Sequence, residues 1–138
     1  MGAWGYGPFE DDTALDFMVE VEDSDNPQQT LSDALDSALD TDYLEYTEAQ
    51  GAIVSAAYID RQVNGTRFSS PDDEDGLDVD TFPERHPNQD FSHLKQKAAK
   101  ALRQVLSENS ELNELWADNE ELYPKWRKGL EELIERLS

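Results

Sequence analysis

Residues 42–63 read D-Y-L-E-Y-T-E-A-Q-G-A-I-V-S-A-A-Y-I-D-R-Q-V, and this stretch decides the fold. Leu44, Ala49, Ala52, Ile53, Ala56, Ala57, Ile59 and Val63 recur mostly at steps of three and four. That is the repeat of a helix face, not the alternation of a strand. Most of these side chains are small or branched. A helix dressed in alanine lets its neighbours come close, so the segment is predicted to be the central helix. Gly51 within it costs roughly 1 kcal/mol relative to alanine, which asks for a packing reason. Asn64-Gly65 is a natural stop.

Working outward, the same repeat holds on both sides. A first helix is expected from Asp11 or Asp12, either of which can cap exposed backbone N–H groups. Its stripe is Ala14, Leu15, Phe17, Met18 and Val21. Asp23 to Gln28, holding Asn26-Pro27, reads as a loop. Thr30 then leads a short helix with Leu31, Ala34, Leu35, Ala38 and Leu39 on one face and Asp33, Asp36 and Asp40 on the other. On the C-terminal side, residues 66–89 lack periodicity and are rich in Pro, Asp, Ser and Gly. Stretches of this kind are long loops. Asp90 or Ser92 caps the next helix, whose stripe is Phe91, Leu94, Ala98, Ala101, Leu102, Val105 and Leu106. Lys95, Lys97, Lys100 and Arg103 lie off that stripe. Ser110 opens the last helical region, with Leu112, Leu115, Trp116 and Leu122 inward. Pro124 is expected to break or kink it. Trp126, Leu130, Leu133, Ile134 and Leu137 carry a stripe to the end. The prediction is an all-α fold: one small helical domain over residues 1–138, of about five or six helices, with Trp116 and Trp126 buried.

The chain opens M-G-A-W-G-Y-G-P-F-E-D-D. Trp4, Tyr6 and Phe9 are too large and apolar for a loose terminus. Gly2, Gly5 and Gly7 let the backbone turn tightly around them, and Pro8 fixes one φ angle ahead of a helix. The segment reads as a Gly/aromatic plug docked on the domain, with Trp4 and Phe9 buried. Met1 to Phe17, ending D-D-T-A-L-D-F, resembles the start of the family called domain of unknown function 4259. Asn109 to Trp116, N-S-E-L-N-E-L-W, followed by Trp126 and a leucine-rich last helix, resembles that family's C-terminal part. The resemblance implies a small, mostly bacterial protein, with the family covering nearly the whole chain. It implies no reaction. It also implies that Trp4, Gly5, Gly7, Phe9, Asp12, Trp116 and Trp126 are structural, with Asp12 capping and docking the plug.

With 138 residues, the chain is most simply one domain. There is no cysteine, so neither a disulfide nor thiol chemistry is available. The start lacks the basic and apolar regions of a signal peptide. Ala52 to Ile59, the longest nearly apolar run, is too short to span a bilayer. Tyr6 stands where a myristoylation signal needs Ser or Thr. A cytoplasmic location is therefore expected.

The net charge is −21, and its distribution is uneven. Residues 1–90 hold 23 acids and 3 arginines, whereas residues 91–138 hold 9 acids and 8 basic residues. The first 60 residues contain 15 acids and no Lys or Arg. Such a field disfavours direct contact with nucleic acid, which relies on cations to neutralise phosphates, and with anionic membranes. A basic protein would be attracted. General solubility or salt tolerance would also favour acids, but would spread them over the whole chain.

No reaction chemistry is nominated. The glycines of the opening have no preceding strand and no lysine, so they do not make a phosphate loop. Asp73, Asp75 and Gly76 sit like positions three, five and six of an EF-hand, but Pro71 and Phe82 stand where oxygen ligands belong. Asp12 and Asp16 share a helix face with Glu20 and could meet a hard cation, yet they read equally as the solvent face of an amphipathic helix. His86 and His93 have no paired spacing. No cofactor and no metal centre are expected; Asp12, Asp16, Asp73 and Asp75 are the only metal candidates. The leading expectation is a non-enzymatic protein-binding module for a basic partner, an immunity or inhibitor protein being one version. Its contact residues would be Asp33, Asp36, Asp40, Asp42 and Glu45. The alternatives are a scaffold or housekeeping domain whose acidity serves solubility or salt tolerance, and a metal-dependent enzyme using the clustered aspartates.

Overall fold

The computed structural model describes residues 12–66 and 90–138. Six α-helices lie among them: α1 (Asp12–Asp23), α2 (Pro27–Leu39), α3 (Tyr46–Asn64), α4 (Lys95–Val105), α5 (Glu111–Ala117) and α6 (Tyr123–Leu137). A 3₁₀ turn, Ser92–Leu94, leads into α4. The all-α expectation holds. The only strand-like pairing among the described residues is one isolated parallel bridge between Leu44 and Ser110. Trp4, Gly5, Gly7, Phe9, the Asp12 side chain, and residues 67–89 with Asp73, Asp75 and His86 lie outside the described residues.

The alanine-rich helix is central, as its composition predicts. Every residue of α3 from Ala49 to Asp60 is buried, and α3 packs against all five other helices. The packing reason that Gly51 asks for is not found: contacts at ordinary distance leave room for a methyl group. A methyl group at that position would meet Ala34 Cβ at 3.7 Å and the Phe17 ring at 4.0 Å. The helix ends where Gly65 turns left-handed, φ 74°, and its N–H donates to Arg61 O. A left-handed residue with no Cβ penalty is what this stop requires.

Around α3 sit Ala14, Met18 and Val21 of α1, Leu31, Leu35 and Ala38 of α2, and Ala98, Ala101, Leu102 and Val105 of α4. Trp126, Leu130, Leu133 and Leu137 of α6 close the core. Each fully buried Leu, Val or Met side chain contributes roughly 1.5–3 kcal/mol of transfer free energy. Trp116 and Trp126 are buried as predicted, each 4% exposed. Their rings stack at 5.8 Å between centroids with 12° between planes, and Tyr123 stacks on the other side of Trp126 at 6.0 Å.

Three expectations are corrected, and one on Pro124 holds. The second helix begins at Pro27, not Thr30, because Asn26 caps it: Asn26 Oδ1 accepts from the Gln29 N–H. Asn-Pro here is the N-cap and first-turn pair, not loop filler. The central helix starts at Tyr46, not Asp42, because Leu44 is held extended. The Leu44 N–H donates to Asn109 O at 2.7 Å, and the Glu111 N–H donates to Leu44 O at 2.8 Å. The last helical region is broken as expected, between Ala117 and Tyr123, and Pro124 sits in the first turn of α6, where no N–H is needed. Leu39 and Leu115, expected inward, are 38% and 36% exposed.

No helix among the described residues is long and apolar enough to cross a membrane.

Candidate functional site

The acidic face is built by α2 and the connection to α3. Asp33, Asp36 and Asp40 stand at steps of three and four along and just past α2, which puts them on one side of the helix. Asp42 and Glu45 follow within the next turn of chain. Four of the five are exposed and Asp36 is half-buried.

Their environments differ. Asp33 Oδ1 accepts from Gln29 Nε2 at 2.7 Å, a bond within one helical turn. Asp36 pairs with Lys97 of α4 at 2.9 Å, and Lys97 also donates to Ser32 Oγ at 3.2 Å. That carboxylate helps fasten α2 to α4. The carboxylates of Asp40, Asp42 and Glu45 have no hydrogen bond or ion pair among the described residues. They are the part of the set open to a cation from outside.

A second acidic group reaches the same place from far along the chain. The Leu44–Ser110 bridge sets the start of α5 against the α2–α3 connection. Ser110 Oγ caps α5 by accepting from the Asn113 N–H. Glu111 Oε1 accepts from the Tyr46 N–H at 2.8 Å, so it caps α3 in place of Glu45, whose side chain makes no cap bond. One turn on, Glu114 Oε2 accepts from the Tyr43 hydroxyl at 2.8 Å.

Tyr43 thus stands in a collar of carboxylates and is 42% exposed. Its phenol pKa is pushed up to about 12, first by the hydrogen bond to Glu114, then by desolvation and the negative charges of Glu114, Glu111 and Glu45. The phenol is therefore neutral through the whole ordinary pH range. The exposed Leu115 follows Glu114 on α5, and the exposed Leu39 ends α2 just ahead of the connection. An aromatic face bordered by anions attracts cations, Arg above all.

The five carboxylates named from the sequence lie on α2 and the connection that follows it. Sequence reasoning missed Tyr43, Glu111 and Glu114. Tyr43 and Glu114 lie 71 residues apart, and no periodic signal links them.

Of the other candidates, the side chains of Asp12, Asp73 and Asp75 lie outside the described residues. Asp16 and Glu20 are exposed on α1. No group of three or more His, Cys, Asp or Glu among the described residues is arranged to hold a metal ion. His93 is exposed at the start of α4, its Nε2 2.7 Å from Gln28 Nε2. Asp90 lies just before it. The Ser92 backbone N–H donating to Asp90 Oδ1 holds that carboxyl below its ordinary range, helped by the Ser92 side chain and by His93.

No curated protein matches this chain. No solved structure matches it either. Residues 2–129 match the family model described as Domain of unknown function (DUF4259), and the chain belongs to that family.

Proposed function

We propose that this protein is a non-enzymatic binding module that receives a basic protein partner on the α2–α3–α5 face. The observation that carries the proposal is the Tyr43 collar: an exposed tyrosine hydrogen-bonded to Glu114, within the field of Glu111 and Glu45, with the uncommitted Asp40 and Asp42 just before it in the chain. Carboxylates steer a cationic surface inward over distances of about a Debye length. Tyr43, Leu39 and Leu115 then supply apolar contact at short range. Aromatic anchors within a charged surround are what binding surfaces use.

A concrete form is an immunity or inhibitor protein in the bacterial cytoplasm that occludes the cationic site of a nuclease-like toxin. The experiment is affinity capture from the native organism with two baits. One is the wild-type chain; the other carries Asp33→Asn, Asp36→Asn, Asp40→Asn, Asp42→Asn and Glu45→Gln. A basic protein retained by the first and lost by the second supports the proposal. Equal retention by both assigns the charge to solubility alone.

A further inference from the structure

The face made by α4 and α6 has a different character. A groove runs beside the C-terminal half of α4, with Arg103 and Leu106 on one wall and Glu131, Ile134 and Glu135 of α6 on the other. It continues past Lys100 and Arg103 toward Ser138. Leu106 and Ile134 are only partly buried against the core, so the groove has an apolar floor left in reach of solvent.

The α4 wall carries cations, and the α6 wall carries Glu131 and Glu135 together with Arg127, whose guanidinium is engaged by Leu106 O and the Tyr123 hydroxyl. Arg103 donates to Ser138 Oγ at 3.0 Å and has no carboxylate partner among the described residues. Lys100 and Glu135 likewise have no ion pair among the described residues. Glu131 has only a long contact, 3.8 Å, with Arg127 one turn before it. Lys100 and Arg103 are both exposed on this wall.

We infer that this groove is the contact face of a homodimer, with α6 of a second copy set against the α4 wall and α4 of that copy against the α6 wall. Two observations select that occupant. First, the face is self-complementary: a two-fold axis along the groove brings Lys100 and Arg103 of one copy to Glu131 and Glu135 of the other, with Leu106 and Ile134 between them. An isologous contact needs this reciprocity. Second, two molecules of net charge −21 repel one another, and the sequence from 91 to 138, which forms both walls, is the nearly neutral part. Approach through any surface of residues 1–90 would set strongly negative charge against itself. The dimer leaves the Tyr43 face of α2 and α5 to other partners.

The test is sedimentation velocity on the full chain across the micromolar range. Two variants accompany the wild type: Lys100→Glu with Arg103→Glu, and Glu131→Lys with Glu135→Lys. All four positions line the open groove, and circular dichroism checks that the fold is kept. The expected result is twice the monomer mass for the wild type, monomer mass for each variant alone, and twice the monomer mass again when the two variants are mixed in equal amounts. A wild type that stays monomeric overturns the inference. So do variants that dimerise alone, and a mixture that stays monomeric. A monomeric wild type that takes up an unrelated amphipathic helix in the groove would assign the face to a foreign partner instead.

Discussion

Arg136, in the last turn of α6, donates from Nε to Asp60 Oδ2 at 2.7 Å, and Asp60 is wholly buried on α3. Asn64 Nδ2 donates to the other oxygen, Asp60 Oδ1, at 2.7 Å. The buried carboxylate is thus bonded at both oxygens, and the C-terminal helix is tied to the central one. Asn64 Nδ2 also donates to Arg136 O at 3.3 Å. Removing only the arginine leaves a buried charge with half its support. Arg136→Leu is expected to destabilise the fold by about 3 kcal/mol, since uncompensated buried charge is costly. Asp60→Leu combined with Arg136→Leu should cost less than Arg136→Leu alone. Urea denaturation of the three proteins measures both numbers; a double variant worse than the single one would contradict this account of the pair.

Gly51 makes a second case where geometry fixes the sign. A Cβ there meets Ala34 and Phe17 at ordinary contact distance, and the position lies inside a helix. Gly51→Ala should therefore stabilise by roughly 0.5–1 kcal/mol through helix propensity. Gly51→Leu should destabilise, because α2 would have to move away from α3. Thermal melts of both variants decide it: a lower melting temperature for the alanine variant would show that the close approach of α2 leaves no room for a methyl.

The Tyr43 phenol should ionise near pH 12 rather than its usual 10.0. The sign follows from which form is stabilised. The folded state favours the neutral phenol, so the stabilising contribution is complete below pH 10 and is lost as pH rises toward 12. Glu114→Ala removes the acceptor and the largest cause of the shift. Following the Tyr43 ring carbon by NMR through an alkaline titration should show a midpoint close to 12 in the wild type and nearer 10 in the variant. An unchanged midpoint would mean that the Glu114 bond does not persist in solution.

Much of this fold is legible because helix faces repeat locally. The stripes of α4 and α6, the alanine surface of α3 and the Gly65 stop are all read from residues within a few positions of one another. The failures have long-range causes. Tyr46 opens α3 because Asn109 and Glu111 hold Leu44 extended, and those residues are over sixty positions away. Leu115 belongs to an apolar repeat and still faces outward, because α5 has only seven residues and its inward side is filled by Leu112 and Trp116. Asn26-Pro27 reads as a loop from the sequence for a different reason: the same dipeptide serves a turn or a helix start. At the candidate site, the five carboxylates were legible as charge on one stretch of chain. The tyrosine that gives the site its shape was not, since only the fold brings Glu114 to it.

The central claim is that the α2–α3–α5 face attracts a basic protein, and association kinetics test it most directly. The protein captured from the native organism by the wild-type chain is purified and mixed with it in a stopped-flow instrument at increasing ionic strength. The variant carrying Asp33→Asn, Asp36→Asn, Asp40→Asn, Asp42→Asn and Glu45→Gln is measured beside it. The account predicts an association rate for the wild type that falls steeply with salt. It predicts a slower, nearly salt-independent rate for the variant, with its melting temperature changed little. A wild-type rate indifferent to salt, or a variant that associates as fast as the wild type, would contradict the account.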